Sequence, residues 1–212
     1  MALTKVTNSL LDSGALVSKA FGTSSIMIGD DATGTIDAAS YNVGLGVDVF
    51  AALTTGDRNT AIGFASMDAN TTGSDNTAVG NGSLGANTEA SCNVAVGSSA
   101  LTATTTGGNN VGVGCDALVA NTTASNNTAV GTSALAANTT GHSGVAIGYQ
   151  ALDANTTGIA NIAIGYAALG ANTTAHDNTA IGQYSLDANT TGTQNVAVGN
   201  ASLSGNTTGT NN

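Results

Sequence analysis

The side chains able to do acid–base, nucleophilic or metal chemistry are few, and their spacing gathers none of them into a site. His142 and His176 are the two histidines. They share one position of a 17-residue repeat but lie two coils apart, about 9.6 Å on the spacing of stacked strands. That is too far for both to hold one zinc ion, so two exposed turn histidines are expected. The acids Asp68, Asp153 and Asp187 share a second position, and Asp75 and Asp177 a third. They are sporadic, and the Gly-Gly-x-Gly-x-Asp unit of calcium-binding β-rolls is missing. No Ser or Cys has a His and an acid arranged to activate it. The Gly-x-x-Ala/Ser pieces are followed by neither Lys nor a long helix, so they do not form a phosphate loop. Cys92 and Cys115 fall in different columns two coils apart, which argues against a disulfide and for buried or half-buried free thiols. Neither an enzyme nor a cofactor is expected.

Composition points the same way. The 212 residues include 29 Gly, no Pro and no Trp, and only 8% are charged against 41% hydrophobic. A typical globular domain carries about 25% charged residues, and a disordered acidic chain would be far less apolar. Collagen needs Pro and a three-residue Gly period, and no apolar run approaches the roughly 20 residues of a membrane-spanning helix. The net charge is −10, and the only bases, Lys5, Lys19 and Arg58, lie in the first 58 residues. With no basic surface, neither nucleic acid nor membrane insertion is expected. The opening MALTKVTNSLLDSG lacks the apolar core and cleavage site of a secretory signal, so the chain as written is not expected to be a Sec substrate.

What must position these residues is a repeat. Units of 17 residues begin at Asn59, Asn76, Asn93, Asn110, Asn127, Gly144, Asn161, Asn178 and Asn195, without insertion. They read N-[TVI]-[AG]-[VI]-G-x-x-[AS]-[LM]-x-[AG]-N-T-T-[GA]-x-x. The stretch 42–58 fits this pattern, 25–41 fits in its first half and 8–24 only loosely, so about 12 coils are expected. Positions 1–4 alternate as a short strand, Gly at position 5 ends it, positions 8–11 read as a second short strand, and Asn-Thr-Thr-Gly turns the chain. Two Gly per unit and clustered β-branched residues exclude a helix. The expected fold is all-β: a parallel β-solenoid or β-roll with two short strands per coil.

The columns of that stack define the expected core. Position 9 holds Met67, Leu84, Leu101, Leu118, Leu135, Leu152, Leu169, Leu186 and Leu203, and position 4 holds Ile62, Val79, Val96, Val113, Val130, Ile147, Ile164, Ile181 and Val198. These two columns are expected to fill the interior. Position 12 is an Asn ladder, Asn70, Asn87, Asn121, Asn138, Asn155, Asn172, Asn189 and Asn206, broken only by Thr104. Such a column can hydrogen-bond along the stack. It also forms Asn-x-Thr glycosylation acceptors, which a turn ladder explains without sugar. Position 3 is always Ala or Gly from 42 onward and must face opposite to positions 2 and 4. Its small size is expected to let something pack closely there, another copy of the chain included.

The phrases NTAIGFAS, NTAVGTSA and NVAVGSSA resemble the repeat of trimeric autotransporter adhesin heads, and the longer N-T-A-[VI]-G-x-x-[AS]-L-x-A-N-T-T-G resembles arrays in phage tail fibres and appendages. The resemblance implies a left-handed β-roll wound as a homotrimer. It further implies a structural or adhesive fibre segment on the virion surface that projects toward or contacts a host-cell receptor. Residues 1–24 are then a cap or attachment segment, 25–58 divergent first coils and 59–212 the regular array. Two alternatives stand beside this reading. One is an extracellular filament built by end-to-end stacking. The other is ice binding by the Thr ladders at positions 13 and 14, although adjacent Thr in a strand face opposite ways.

Overall fold

The computed structural model describes the backbone of Val17–Lys19 and Ile26–Gly29 and the whole of residues 39–212. Among the described residues, twelve short strands form one sheet in chain order: β1 (Val17–Lys19), β2 (Ile26–Gly29), β3 (Val43–Leu45), β4 (Thr60–Ile62), β5 (Thr77–Val79), β6 (Val94–Val96), β7 (Val111–Val113), β8 (Thr128–Val130), β9 (Val145–Ile147), β10 (Ile162–Ile164), β11 (Thr179–Ile181) and β12 (Val196–Val198). From β2 to β12 each strand pairs in parallel with the next at a register of 17 residues, as in Thr77↔Val94 and Val79↔Val96. The fold is therefore an all-β parallel solenoid, and β3–β12 give it ten stacked coils. β1 runs antiparallel to β2, where a further coil would have run parallel. The coil expected over 8–24, the cap or attachment segment over 1–24 and most of 25–38 otherwise lie outside the described residues.

Each coil from β3 to β12 carries one strand, not two. Residues at positions 7 and 9 have left-handed backbones, as in Ala65 (φ 50), Met67 (φ 52), Ser133 (φ 57) and Leu135 (φ 52). The segment expected as a second strand is thus a string of tight turns. A left-handed Leu is disfavoured by about 1–2 kcal/mol. Burial offsets this, since each fully buried Leu contributes roughly 2 kcal/mol. Hydrogen bonds to both neighbouring coils add to it. Within coil 59–75, Gly63 and Ala65 donate their N–H to Leu45 and Val47 of the coil before (2.9 Å each). Thr60, Met67 and Ala69 donate to Asn76, Ser83 and Gly85 of the coil after (2.9–3.1 Å).

The interior is lined by positions 1, 3, 8, 9, 12 and 15. Met67 and Leu84 through Leu186 of the position-9 column are fully buried, and Leu203 in the terminal coil is the exception at 38% exposed. The position-4 column does not join them. Ile62, Ile147, Ile181 and Val198 are exposed and Val79, Val96, Val113, Val130 and Ile164 half-buried, all on the outer face of the sheet. The inward residue is position 3, where Ala61, Ala78, Ala95, Ala129, Ala146, Ala163 and Ala180 are fully buried. The reason is volume. A Cβ placed on Gly112 at this position would stand 3.2 Å from Leu101 Cγ. The group packed closely on position 3 is the chain's own Leu column, not another copy.

Two carboxamide ladders run through the core. At position 12, Asn87 Nδ2 donates to Asn70 Oδ1 (2.7 Å), Asn138 to Asn121 (3.1 Å), and Asn155, Asn172, Asn189 and Asn206 each to the Asn one coil earlier (2.9–3.3 Å). At position 1, Asn59, Asn76 and Asn93 donate Nδ2 to the position-15 carbonyl of their own coil, while Oδ1 accepts the backbone N–H of the next coil, as in Asn76 N to Asn59 Oδ1 at 3.0 Å. Gly144 keeps the incoming half of this ladder, donating its N–H to Asn127 Oδ1 (2.8 Å), but has no carboxamide to pass on.

Thr104 breaks the position-12 ladder in a specific way. It accepts from Asn121 Nδ2 (3.3 Å) but has no amide to donate onward, and Asn87 Oδ1 is buried without a partner. An orphaned buried acceptor costs about 1–3 kcal/mol. Thr104→Asn restores the donor in a space that Asn fills in the neighbouring coils. Urea denaturation should show the variant more stable by about 1–2 kcal/mol.

Candidate functional site

The alternation of the strands decides what the molecule offers to its surroundings. Because position 3 points inward, positions 2 and 4 point outward in every coil. Position 2 is Val43, Thr60, Thr77, Val94, Val111, Thr128, Val145, Ile162, Thr179 and Val196, and position 4 is aliphatic from Leu45 to Val198. Twenty side chains in two columns thus carry no charge and no polar group beyond four Thr hydroxyls. Ile147 is 39% exposed and Val43 45%. Ten strands at the standard spacing, about three residues wide, make a flat strip of roughly 48 by 10 Å, or about 500 Å². An apolar patch of this size is about the largest that a typical monomer exposes, and such patches are often functional.

Past the Gly at position 5 the outer columns change character. Position 6 is Val47 and Phe64 in the coils of β3 and β4, polar or Cys through Asn81, Ser98, Cys115 and Thr132, and then Tyr149 and Tyr166. Tyr184 follows at position 7. The rings of Tyr149 and Tyr166 stack with centroids 5.5 Å apart, and Tyr184 meets Tyr166 edge to face at 5.1 Å.

The Thr columns are not equivalent. At position 13 the hydroxyls of Thr71, Thr122, Thr139 and Thr156 donate to the carbonyl of the Thr one coil later (2.9–3.1 Å). Position 14, from Thr72 to Thr208, is exposed. The Asn of the Asn-Thr-Thr turns is fully buried from Asn70 to Asn189, so these acceptors are closed to glycosylation in the folded chain.

The remaining polar groups are dispersed. Asp68 and Asp153 are half-buried, and burial raises their carboxyl pKa. Arg58 Nε and Nη2 donate to Asp75 Oδ1 and Oδ2 (2.6 and 2.9 Å), one coil on. That hydrogen bond, more than the charge, lowers the Asp75 pKa; both groups are exposed, so the pair stabilises little. His142 and His176 are exposed, and among the described residues their rings bond only to their sequence neighbours Ser143 and Asp177. Cys92 and Cys115 are free, but exposed rather than buried. Among the described residues no three His, Cys, Asp or Glu side chains converge as metal ligands, and no helix is long and apolar enough to cross a membrane.

Two features of the fold, one on the surface and one in the core, escape a column-by-column reading of the sequence. One is the outward aliphatic strip, which hydropathy assigns to the core. The other is the position-1 Asn ladder, signalled by the near-invariant Asn that opens each unit. No protein-family model, curated protein or solved structure matches the chain.

Proposed function

We propose that the chain is a rigid structural segment of a fibre, of the phage tail-fibre or appendage type, that projects toward or contacts a host-cell surface. Its copies associate side by side through the strip of positions 2 and 4, the homotrimer being the arrangement that the sequence resemblance implies. The observation that carries this reading is the strip itself: two outward columns without a charge over ten coils. A solvated sheet face alternates with polar residues instead, and aliphatic columns left in water invite association. Rigidity follows from the stack, because each coil satisfies its backbone on the coils before and after it.

Ice binding has less support, because the position-13 hydroxyls are engaged within the stack and a single free Thr column is left. Sedimentation of the chain at micromolar concentration tests the proposal. A discrete oligomer is expected, with short rods in electron micrographs. A single chain over the whole concentration range would defeat the side-by-side assembly, and long end-to-end filaments would favour the filament alternative.

A further inference from the structure

Three of the four tyrosines fall in three consecutive coils. The stack does not require aromatic rings there, since the preceding coils carry Asn81, Ser98, Cys115 and Thr132 at position 6. Tyr149, Tyr166 and Tyr184 are 48%, 42% and 39% exposed. Two rings lie nearly parallel (13°) and the third stands across them (83°), so the cluster presents ring surface in two orientations. Tyr184 shares its coil with Asp187, whose Oδ1 is buried without a hydrogen-bond partner. No Lys or Arg occurs after Arg58.

We propose that Tyr149, Tyr166 and Tyr184, with Asp187, form a binding site for a soft organic cation of the quaternary ammonium class. An aromatic face attracts a cation through its quadrupole, and the attraction is strongest for weakly hydrated cations that lose little on leaving water. The region supplies negative charge and no competing base. A hard metal ion does not suit the cluster, because no set of oxygen ligands converges on it among the described residues. Its hydrogen bond with Tyr166, then burial and the charges of Tyr166 and Asp187, raise the pKa of the Tyr184 hydroxyl. The site lies on positions 6 and 7, beyond the Gly turn from the assembly strip, and does not rest on the fibre reading.

The test is titration of the full chain with choline, followed by tyrosine fluorescence, which no Trp obscures. Saturable millimolar binding is expected, and the neutral tert-butyl analogue of choline should bind roughly tenfold more weakly. Tyr166→Phe keeps the ring and should retain binding. Tyr166→Leu keeps an apolar side chain and should lose about tenfold, and Asp187→Asn should weaken binding severalfold. A thermal melt confirms that each variant is folded. Equal affinity for choline and its neutral analogue, or unchanged choline binding by folded Tyr166→Leu, overturns the proposal.

Discussion

Gly131→Ala is expected to destabilise the solenoid by roughly 3–5 kcal/mol. Gly131 has φ 133, and position 5 lies between φ 126 and 143 in every coil from Gly46 to Gly199. That region is open essentially to Gly alone, and an L-residue held there costs about 1–3 kcal/mol. The site is also closed sterically. A Cβ on Gly131 would stand 2.5 Å from the carbonyl oxygen of Gly148 and 2.7 Å from its carbon. Backbone cannot yield there, because Gly148 N–H donates to Val130 O (2.8 Å) and fixes the next coil in place. The substitution must therefore twist its own coil or lift the next one off the stack. Urea denaturation measures the loss. A cost under about 1 kcal/mol would show that position 5 is not held at the positive φ described.

Val113→Lys combined with Ile147→Lys is expected to leave the single chain folded and abolish its association. Both residues are outward members of position 4, Val113 half-buried and Ile147 exposed, so each lysine stem can lie along the strip while its ammonium reaches water. Stability of the isolated chain should change by no more than about 1 kcal/mol. Covered by a second copy, the same ammonium groups lose their hydration without a partner, at a cost of several kcal/mol each. In a cyclic assembly equivalent lysines would also face one another. A loss of about 3 kcal/mol corresponds to a dissociation constant at least roughly a hundredfold higher. Sedimentation of wild type and variant side by side measures it. If the double variant sediments as wild type does, the strip is not the assembly face, whatever the oligomer.

The legible parts of this protein are those that repeat. A solenoid places one residue of each unit over the same residue of the next, so any demand made by a column is written ten times. Gly at position 5 and Asn at position 12 stand out for that reason, and their backbone angles and hydrogen bonds explain their uniformity. The second strand that positions 8–11 suggest does not form, and its absence is hard to foresee because Leu135 and its equivalents are not turn residues by type. Their left-handed backbones (φ 52 at Leu135) are imposed by closing a thin coil while keeping Leu inside. The tyrosine cluster could be seen as three letters, but the crossing of its rings belongs to the stacked coils.

The sequence by itself determined the period of 17, the all-β class and the in-register stacking, because no other arrangement lets so regular a pattern satisfy a backbone without helices. It also determined that position 3 opposes positions 2 and 4. Only the tertiary structure decided which of the two sides is inside. Hydropathy favours the Val and Ile of position 4, but the space beneath each strand is already filled by the position-9 leucines and admits nothing larger than Ala. Volume won over hydropathy, and the aliphatic residues it displaced to the outer face are the surface from which the proposed assembly follows.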